Sequence, residues 1–296
     1  TNTFYAPLIA TLFSGRRQLV VHLVWDLFPD ALLADGRFAL NGWIPRGVEC
    51  IVQQIFNRVT ANVFLGQRLL THAKSRFHQV PKAHIIPVGA NARVFANSRL
   101  SVVESHRSVD IVYCGNLGAM HDTMTLIEAL QSADISAGGG FVLSFHASGP
   151  HYVAFKNKVR AINSALAKSV RLESALSDVD WIHRMQQAQV SLVTMKPGSE
   201  KVVMPSKTYS ALASGQAILA ICPRESDLAH LVIEEACGWV VTPGRPDELI
   251  AALMEISTQR ELLQTKRKNA YRVGQSKYSD VGVAREWVKL INDLSI

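Results

Sequence analysis

The feature that most constrains this chain is a repeated alternation. Short apolar runs rich in Val, Ile and Leu are separated by stretches with helical spacing. In the first third, residues 18–25 (QLVVHLVW) read as a buried strand and residues 26–30 (DLFPD) as the loop at its carboxyl end. Residues 49–58 follow as a helix, 61–65 as a strand, 67–77 as a basic helix, and 83–88 as a strand closed by Gly89. Nearly continuous apolar strands joined by helices predict a parallel sheet covered on both faces.

Residues 95–108 are polar and weakly patterned, as a linker would be, and a second series then begins. Strands are predicted at 109–114 (VDIVYC), 141–146 (FVLSFH), 170–172, 190–194, 217–222 and 238–241. Helices are predicted at 122–132, 153–166, 179–188 (with Trp181, Met185 and Ala188 on one face), 206–213, 226–235 and 247–255. Residues 259–296 are helical in pattern, with breaks near Gly274 and Gly282. The expected architecture is α/β, with two doubly wound Rossmann-like domains facing a cleft and ligands at the carboxyl ends of the strands. The expected boundaries are 1–100 and 101–275, with 276–296 as a C-terminal helix packing back on the first domain.

Length supports two domains, since 296 residues is twice a typical domain of roughly 150. With 48% apolar and 19% charged residues the chain is neither disordered nor collagenous. Cys50, Cys114, Cys222 and Cys237 are far apart and form no CxxC, which argues against a zinc ribbon or disulfide framework and for a reducing cytoplasm. No apolar run approaches the ~20 residues that span a bilayer. The formal charge of +7 is uneven: residues 1–100 hold 11 Lys/Arg against 4 Asp/Glu, whereas the remainder is balanced. A basic first lobe suits an anionic partner or simply a solvated surface.

Three strand-end segments are candidates for chemistry. Gly115-Asn116-Leu117-Gly118 lies between a strand and a helix; its glycines let backbone approach a ligand, and the helix start offers unpaired N–H groups to a diphosphate. The same turn also serves simply to end a strand. It lacks the GxGxxG spacing, which disfavours a dinucleotide cofactor. Ser148-Gly149-Pro150 is a second turn of this kind. The third is the most specific: Pro205-Ser206-Lys207 opens a short small-residue helix stopped by Gly215 before the apolar strand AILAIC. Lysine at a helix start opposes the helix dipole by a few tenths of a kcal/mol, and an anionic ligand there would compensate.

Taken together, IVYCGNLG, FHASGP, PSKTYSALASGQAILAIC and ACGWVVTPGRPDELIAAL, in this order, resemble the C-terminal domain of family 4 retaining glycosyltransferases of the GT-B fold, of the capsule, colanic-acid and O-antigen type. In the first third, VVHLVWDLFPD and HIIPVGAN resemble that family's His/Asp-bearing loop and the end of its N-terminal domain. The resemblance implies a metal-independent hexosyltransferase without cofactor, whose nucleotide-sugar donor is a substrate bound on the second domain. It places Gly115, Asn116, Gly118 and His121 at the donor diphosphate, Gly149 near the nucleoside, and Ser206, Lys207 and Ser210 along the ribose and phosphates. His22 and Asp26 become the catalytic, acceptor-side candidates, although His22 reads equally well as a core histidine.

The implied acceptor is a lipid-linked or cell-surface polysaccharide. The implied location is cytoplasmic, peripheral on the inner face of the membrane, with the basic helix (Arg68, Lys74, Arg76) meeting anionic lipid. Nucleic acid is not an expected partner, since no aromatic residues interleave with the arginines. The chain departs from the family where two glutamates are common: Val202 and Ser210 stand there, with Glu200 nearby. The first domain is also expected to be incomplete, at about half the family's usual length. Alternatives are a non-catalytic nucleotide-sugar-binding or scaffolding protein, and a nucleotide-sugar epimerase of the same fold.

Overall fold

The computed structural model describes residues 5–15, 18–31, 42–96, 107–132, 140–201 and 204–295. The chain forms two compact units. The first comprises Thr1–Val88, Gly198–Met204 and Val283–Ile296; the second comprises Gly89–Pro197 and Pro205–Gly282.

In the first unit, α1 (Ala6–Phe13) precedes β1 (Val21–Val24), α2 (Trp43–Arg58), β2 (Ala61–Phe64), α3 (Gln67–Arg76) and β3 (Ala83–Ile85). The strands form a parallel sheet in the order β1-β2-β3. Alternation along β2 explains why both faces are covered. Phe64 points into a cluster with Val52, Phe56, Leu69, Leu70 and Phe77 from the α2 and α3 side. Ala61 and Val63 face the other way, onto Leu290, Val283 and Trp287 of the last helix, α11 (Asp280–Leu294). Asn62 is fully buried in β2 because its amide is satisfied, donating to the Phe56 and Pro81 carbonyls.

The second unit has β4 (Val109–Asn116), α4 (Met124–Gln131), β5 (Phe141–Ser148), α5 (Pro150–Arg160), β6 (Val170–Ser174), α6 (Asp178–Gln187), β7 (Val190–Thr194) and α7 (Lys207–Ser214). It continues with β8 (Ala217–Ile221), α8 (Asp227–Glu234), β9 (Gly238–Val241), α9 (Pro246–Thr258) and α10 (Arg260–Gly274). Its six strands are all parallel, in the order β6-β5-β4-β7-β8-β9. Strand order therefore reverses between β4 and β7, the switch point at which doubly wound sheets open a crevice at their carboxyl edge. Odd-numbered β4 residues Val109, Ile111 and Tyr113 and the β5 residues Phe141, Leu143 and Phe145 pack with α4, α5 and α9. Each large buried side chain of this kind contributes about 1.5–3 kcal/mol.

Several expected boundaries moved for local reasons. The helix after the GNLG turn starts at Met124, not Asp122, because the Asp122 side chain stands outside it and accepts from the N–H groups of Met124 and Thr125. The helix expected at 153–166 is Pro150–Arg160, since Pro150 pre-sets its first turn. Gly282 breaks nothing: Ser279 Oγ accepts from its N–H at 2.9 Å, so the helix starts before it. Phe95 lies in a 3-10 turn, Ala92–Phe95, buried edge-to-face against Trp181. The core of the expected linker, residues 97–106, lies outside the described residues. Among the described residues no helix is long and apolar enough to cross a membrane.

Candidate functional site

In the second unit the sequence-derived residues gather at the switch point. β4 ends in Gly115 and Asn116, both exposed, with Gly115 at φ +123°. The loop beyond is pinned from three directions. Leu117 N–H donates to Ser148 O at 3.0 Å, His121 N–H to Gly118 O at 3.2 Å, and Lys196 N–H to Met120 O at 2.9 Å. The last of these ties the loop after β4 to the chain just past β7. His121 spans the same gap, its Nδ1–H donating to the Thr194 carbonyl at 2.9 Å. Gly149 has φ +100°, and a Cβ there would fall 2.2 Å from Asn116 Oδ1, so the turns after β4 and β5 are built against each other.

From α7, Lys207 reaches back across the switch point. Its Nζ donates to the Tyr113 hydroxyl at 2.6 Å and lies 3.8 Å from the centre of that ring. The hydroxyl in turn donates to Asn116 O at 2.9 Å. Among the described residues no side chain caps α7, whose first residue is Lys207 itself. Ser206 is exposed at the helix start, and Ser210 is half-buried one turn after Lys207. Burial pulls the Lys207 pKa down to about 7. His121 is lowered to about 4, by burial first and then by the Lys207 charge. His121, which the resemblance places at the donor diphosphate, is therefore neutral there, with Nδ1–H committed to Thr194.

A correction concerns the helix start after GNLG. Asp122 Oδ1 accepts from the N–H groups of Met124 (2.9 Å) and Thr125 (3.3 Å). The amides expected to meet a diphosphate are capped by a buried carboxylate. The Lys207 ammonium and the exposed Gly115, Asn116 and Ser206 stand at this edge, whereas the Thr208 and Tyr209 N–H groups of α7 already donate to Pro205 O and Ser206 O.

In the first unit His22 and Asp26 line one small pocket of about 20 Å³ with Trp25, Phe28 and Phe56. His22 pairs in register with Asn62 and contacts its Oδ1 from Nδ1 at 3.3 Å, with its ring 5.8 Å from that of Phe56. Because the Asn62 amide nitrogen already donates to two carbonyls, Oδ1 is the acceptor and His22 the donor. Burial lowers the His22 pKa to about 4, which is the behaviour of a satisfied core histidine. The carboxyl of Asp26, also in this pocket, is pushed up by burial. Glu200 lies in the 3-10 turn Ser199–Lys201 of the first unit, buried, with Oε2 unpartnered among the described residues. Val202 lies outside the described residues. Among the described residues, no three His, Cys, Asp or Glu side chains stand together as metal ligands would.

No family model matches the chain. A curated relative described as a probable glycosyltransferase, WbjE of Pseudomonas aeruginosa, is 21% identical over 262 residues, 84% of this chain and 62% of the relative. The chain thus spans less than two thirds of that relative's length. Among solved structures, HepE of Anabaena in complex with UDP aligns with 99% of this chain and 77% of its own, at TM-score 0.76 and 13% identity. Sucrose-phosphate synthase from Thermosynechococcus elongatus aligns with 98% and 71%, at TM-score 0.74 and 16% identity. WaaG, a glycosyltransferase involved in lipopolysaccharide biosynthesis, aligns with 96% and 80%, at TM-score 0.67 and 16% identity.

This chain has the GT-B glycosyltransferase fold. In this fold the β4/β7 switch point is the place where a doubly wound sheet opens a crevice at its carboxyl edge. Tyr113 was absent from the residues singled out by sequence. It sits in the apolar run IVYC, and nothing local marks its hydroxyl as facing a lysine 94 positions away.

Proposed function

We propose that this chain is a glycosyltransferase that takes a nucleotide-sugar donor on its second unit and passes the sugar to a lipid-linked or polysaccharide acceptor served by its first. The observation that carries the reading is Lys207: an ammonium at the uncapped start of α7, beside a pinned glycine turn, at the switch point of a doubly wound sheet. A departing nucleoside diphosphate gains negative charge as the sugar leaves, and a preset ammonium and helix terminus stabilise that charge without reorganising. HepE, which shares the fold, has been crystallised with UDP and with UDP-glucose, which supports a donor of this class.

The transfer is proposed to be metal-independent, because cationic and backbone groups take the role of neutralising the leaving group. It is proposed to retain configuration, with the acceptor hydroxyl approaching on the face from which the diphosphate leaves. Asp26 is the acceptor-side candidate, since its raised pKa suits a carboxyl that takes up a proton or orients a hydroxyl. His22 stays with Asn62. A cytoplasmic location at the inner membrane face fits such an acceptor. In the basic helix Arg76 is paired with Asp30 and Glu49, which lessens its charge toward lipid.

A thermal-shift screen of UDP-, GDP- and ADP-sugars tests the reading. One class should stabilise the protein, and Lys207→Ala should weaken its binding about 10- to 100-fold, as expected for one charge-assisted hydrogen bond. No shift with any donor, or an unchanged shift in the variant, would overturn it.

A further inference from the structure

We propose that Tyr113 is the positioning residue for Lys207, holding its ammonium at the switch point until a donor diphosphate draws it out, so that donor binding is coupled to proton uptake. The donor half of this rests on the function proposed above; the seat itself does not. The geometry is specific. Tyr113 is fully buried, and its ring stacks on Phe145 (5.5 Å) and meets His121 edge-on (5.9 Å). Its hydroxyl hydrogen is committed to Asn116 O, which leaves the oxygen lone pairs for Lys207 Nζ. The ring face beneath the ammonium adds a cation–π contact. The lysine is thus aimed by two features of one side chain, and the same hydroxyl ties that aim to the glycine turn through Asn116.

The groups facing Lys207 leave it poorly compensated. From β4 these are Tyr113 and Cys114, and from the loop beyond it His121. His121 in turn faces His151 of α5 and Lys196 after β7, both of which oppose added positive charge. The carboxylate of Asp110 and the guanidinium of Arg184 act on Cys114, but they bind each other. Burial is what lowers the Lys207 pKa to about 7, and a bound diphosphate supplies the missing counter-charge. Proton uptake follows from that difference between the free and bound states.

The experiment is a pH titration of the Lys207 ammonium in the intact chain. The protein carries ¹³C-dimethylated lysines, and Lys207→Arg assigns the resonance. In the free protein the midpoint should lie far below that of an ordinary lysine, and Tyr113→Phe, which keeps the ring, should lower it by more than half a unit. An ordinary midpoint, or one unmoved or raised in the variant, overturns the inference whatever the ligand. With saturating UDP-glucose, or the GDP- or ADP-glucose that binds in its place, the midpoint should rise by at least two units. Binding without that rise overturns the coupling and leaves the proposed function standing. A low midpoint with no sugar nucleotide bound overturns the proposed function and the donor half together.

Discussion

The Asp122 carboxylate accepts a hydrogen bond from the Met124 amide at 2.9 Å, so the helix after the glycine turn arrives already capped. Its second oxygen accepts from the Thr125 hydroxyl at 2.5 Å, and that hydroxyl accepts from Gly244 N–H at 2.7 Å, which joins the cap to the turn before α9. A carboxylate in this place repels an anion. The cap is therefore structural, and its removal is a stability experiment. Asp122→Ala should lower unfolding free energy by about 1–2 kcal/mol, the usual loss for an N-cap. The thermal shift given by a nucleotide-sugar should survive. A variant of normal stability in urea that had lost the ligand shift would place Asp122 in the binding machinery instead.

Gly149 carries two demands that no other residue meets. Its φ of +100° is strained for any L side chain, and an added Cβ would collide with Asn116 Oδ1. Gly149→Ala should destabilise the second unit by about 1–3 kcal/mol. It should also displace the Asn116 side chain and weaken donor binding more than Ser206→Ala does. Chemical denaturation and ligand thermal shift on the two variants read this directly.

Two histidines make the fold acid-sensitive. Burial lowers both His22 and His121 from the ordinary value of 6.5 to about 4. Each is neutral when folded and titrates normally when unfolded, so the unfolded chain gains protons first as pH falls. Their contribution is whole above pH 6.5 and is lost on acidification toward 4. By pH 5 the loss is about 2 kcal/mol for each, from about 1.4 kcal/mol per pH unit. Urea midpoints measured from pH 7.5 to 5 should fall accordingly. His22→Asn and His121→Asn, which preserve a donor, should each flatten the slope; a parallel slope in either variant removes that histidine from the account.

Sheet and helix order were legible because they rest on local periodicity: β2, with Ala61 and Val63 on one face and Phe64 on the other, could be read as a buried strand from its composition alone. Pairings across the sheet were not legible. Nothing in VVHLVW shows that His22 answers Asn62 forty residues later, so a core histidine and a catalytic one looked alike. Lys207 was singled out because a lysine at a helix start is locally unfavourable, a conflict visible in sequence. Tyr113, whose hydroxyl accepts from that lysine, violates no local rule, so nothing in the sequence marks it. The neutrality of His121 is likewise hidden, because sequence reports the residue type and not its burial.

The loop that carries Asp26 is clamped at its far end by Asp30. Its carboxylate contacts His72 Nε2 at 2.5 Å and Arg76 Nε at 3.3 Å, and Arg76 reaches Glu49 of α2 at 3.2 Å. The Asp30 side chain is 15% exposed and that of Arg76 30%. The pair therefore sits between surface pairs, which contribute about 0–1 kcal/mol, and buried ones, whose disruption costs about 3–5 kcal/mol. A double-mutant cycle on Asp30→Ala and Arg76→Ala should return a coupling of about 1–2 kcal/mol. If Asp26 serves the acceptor, loosening its loop should raise the acceptor KM in Asp30→Ala by severalfold and leave the donor KM unchanged. Equal rises in both would mean that the clamp supports the whole unit rather than the loop, and a coupling near zero would show that the three side chains meet without holding it.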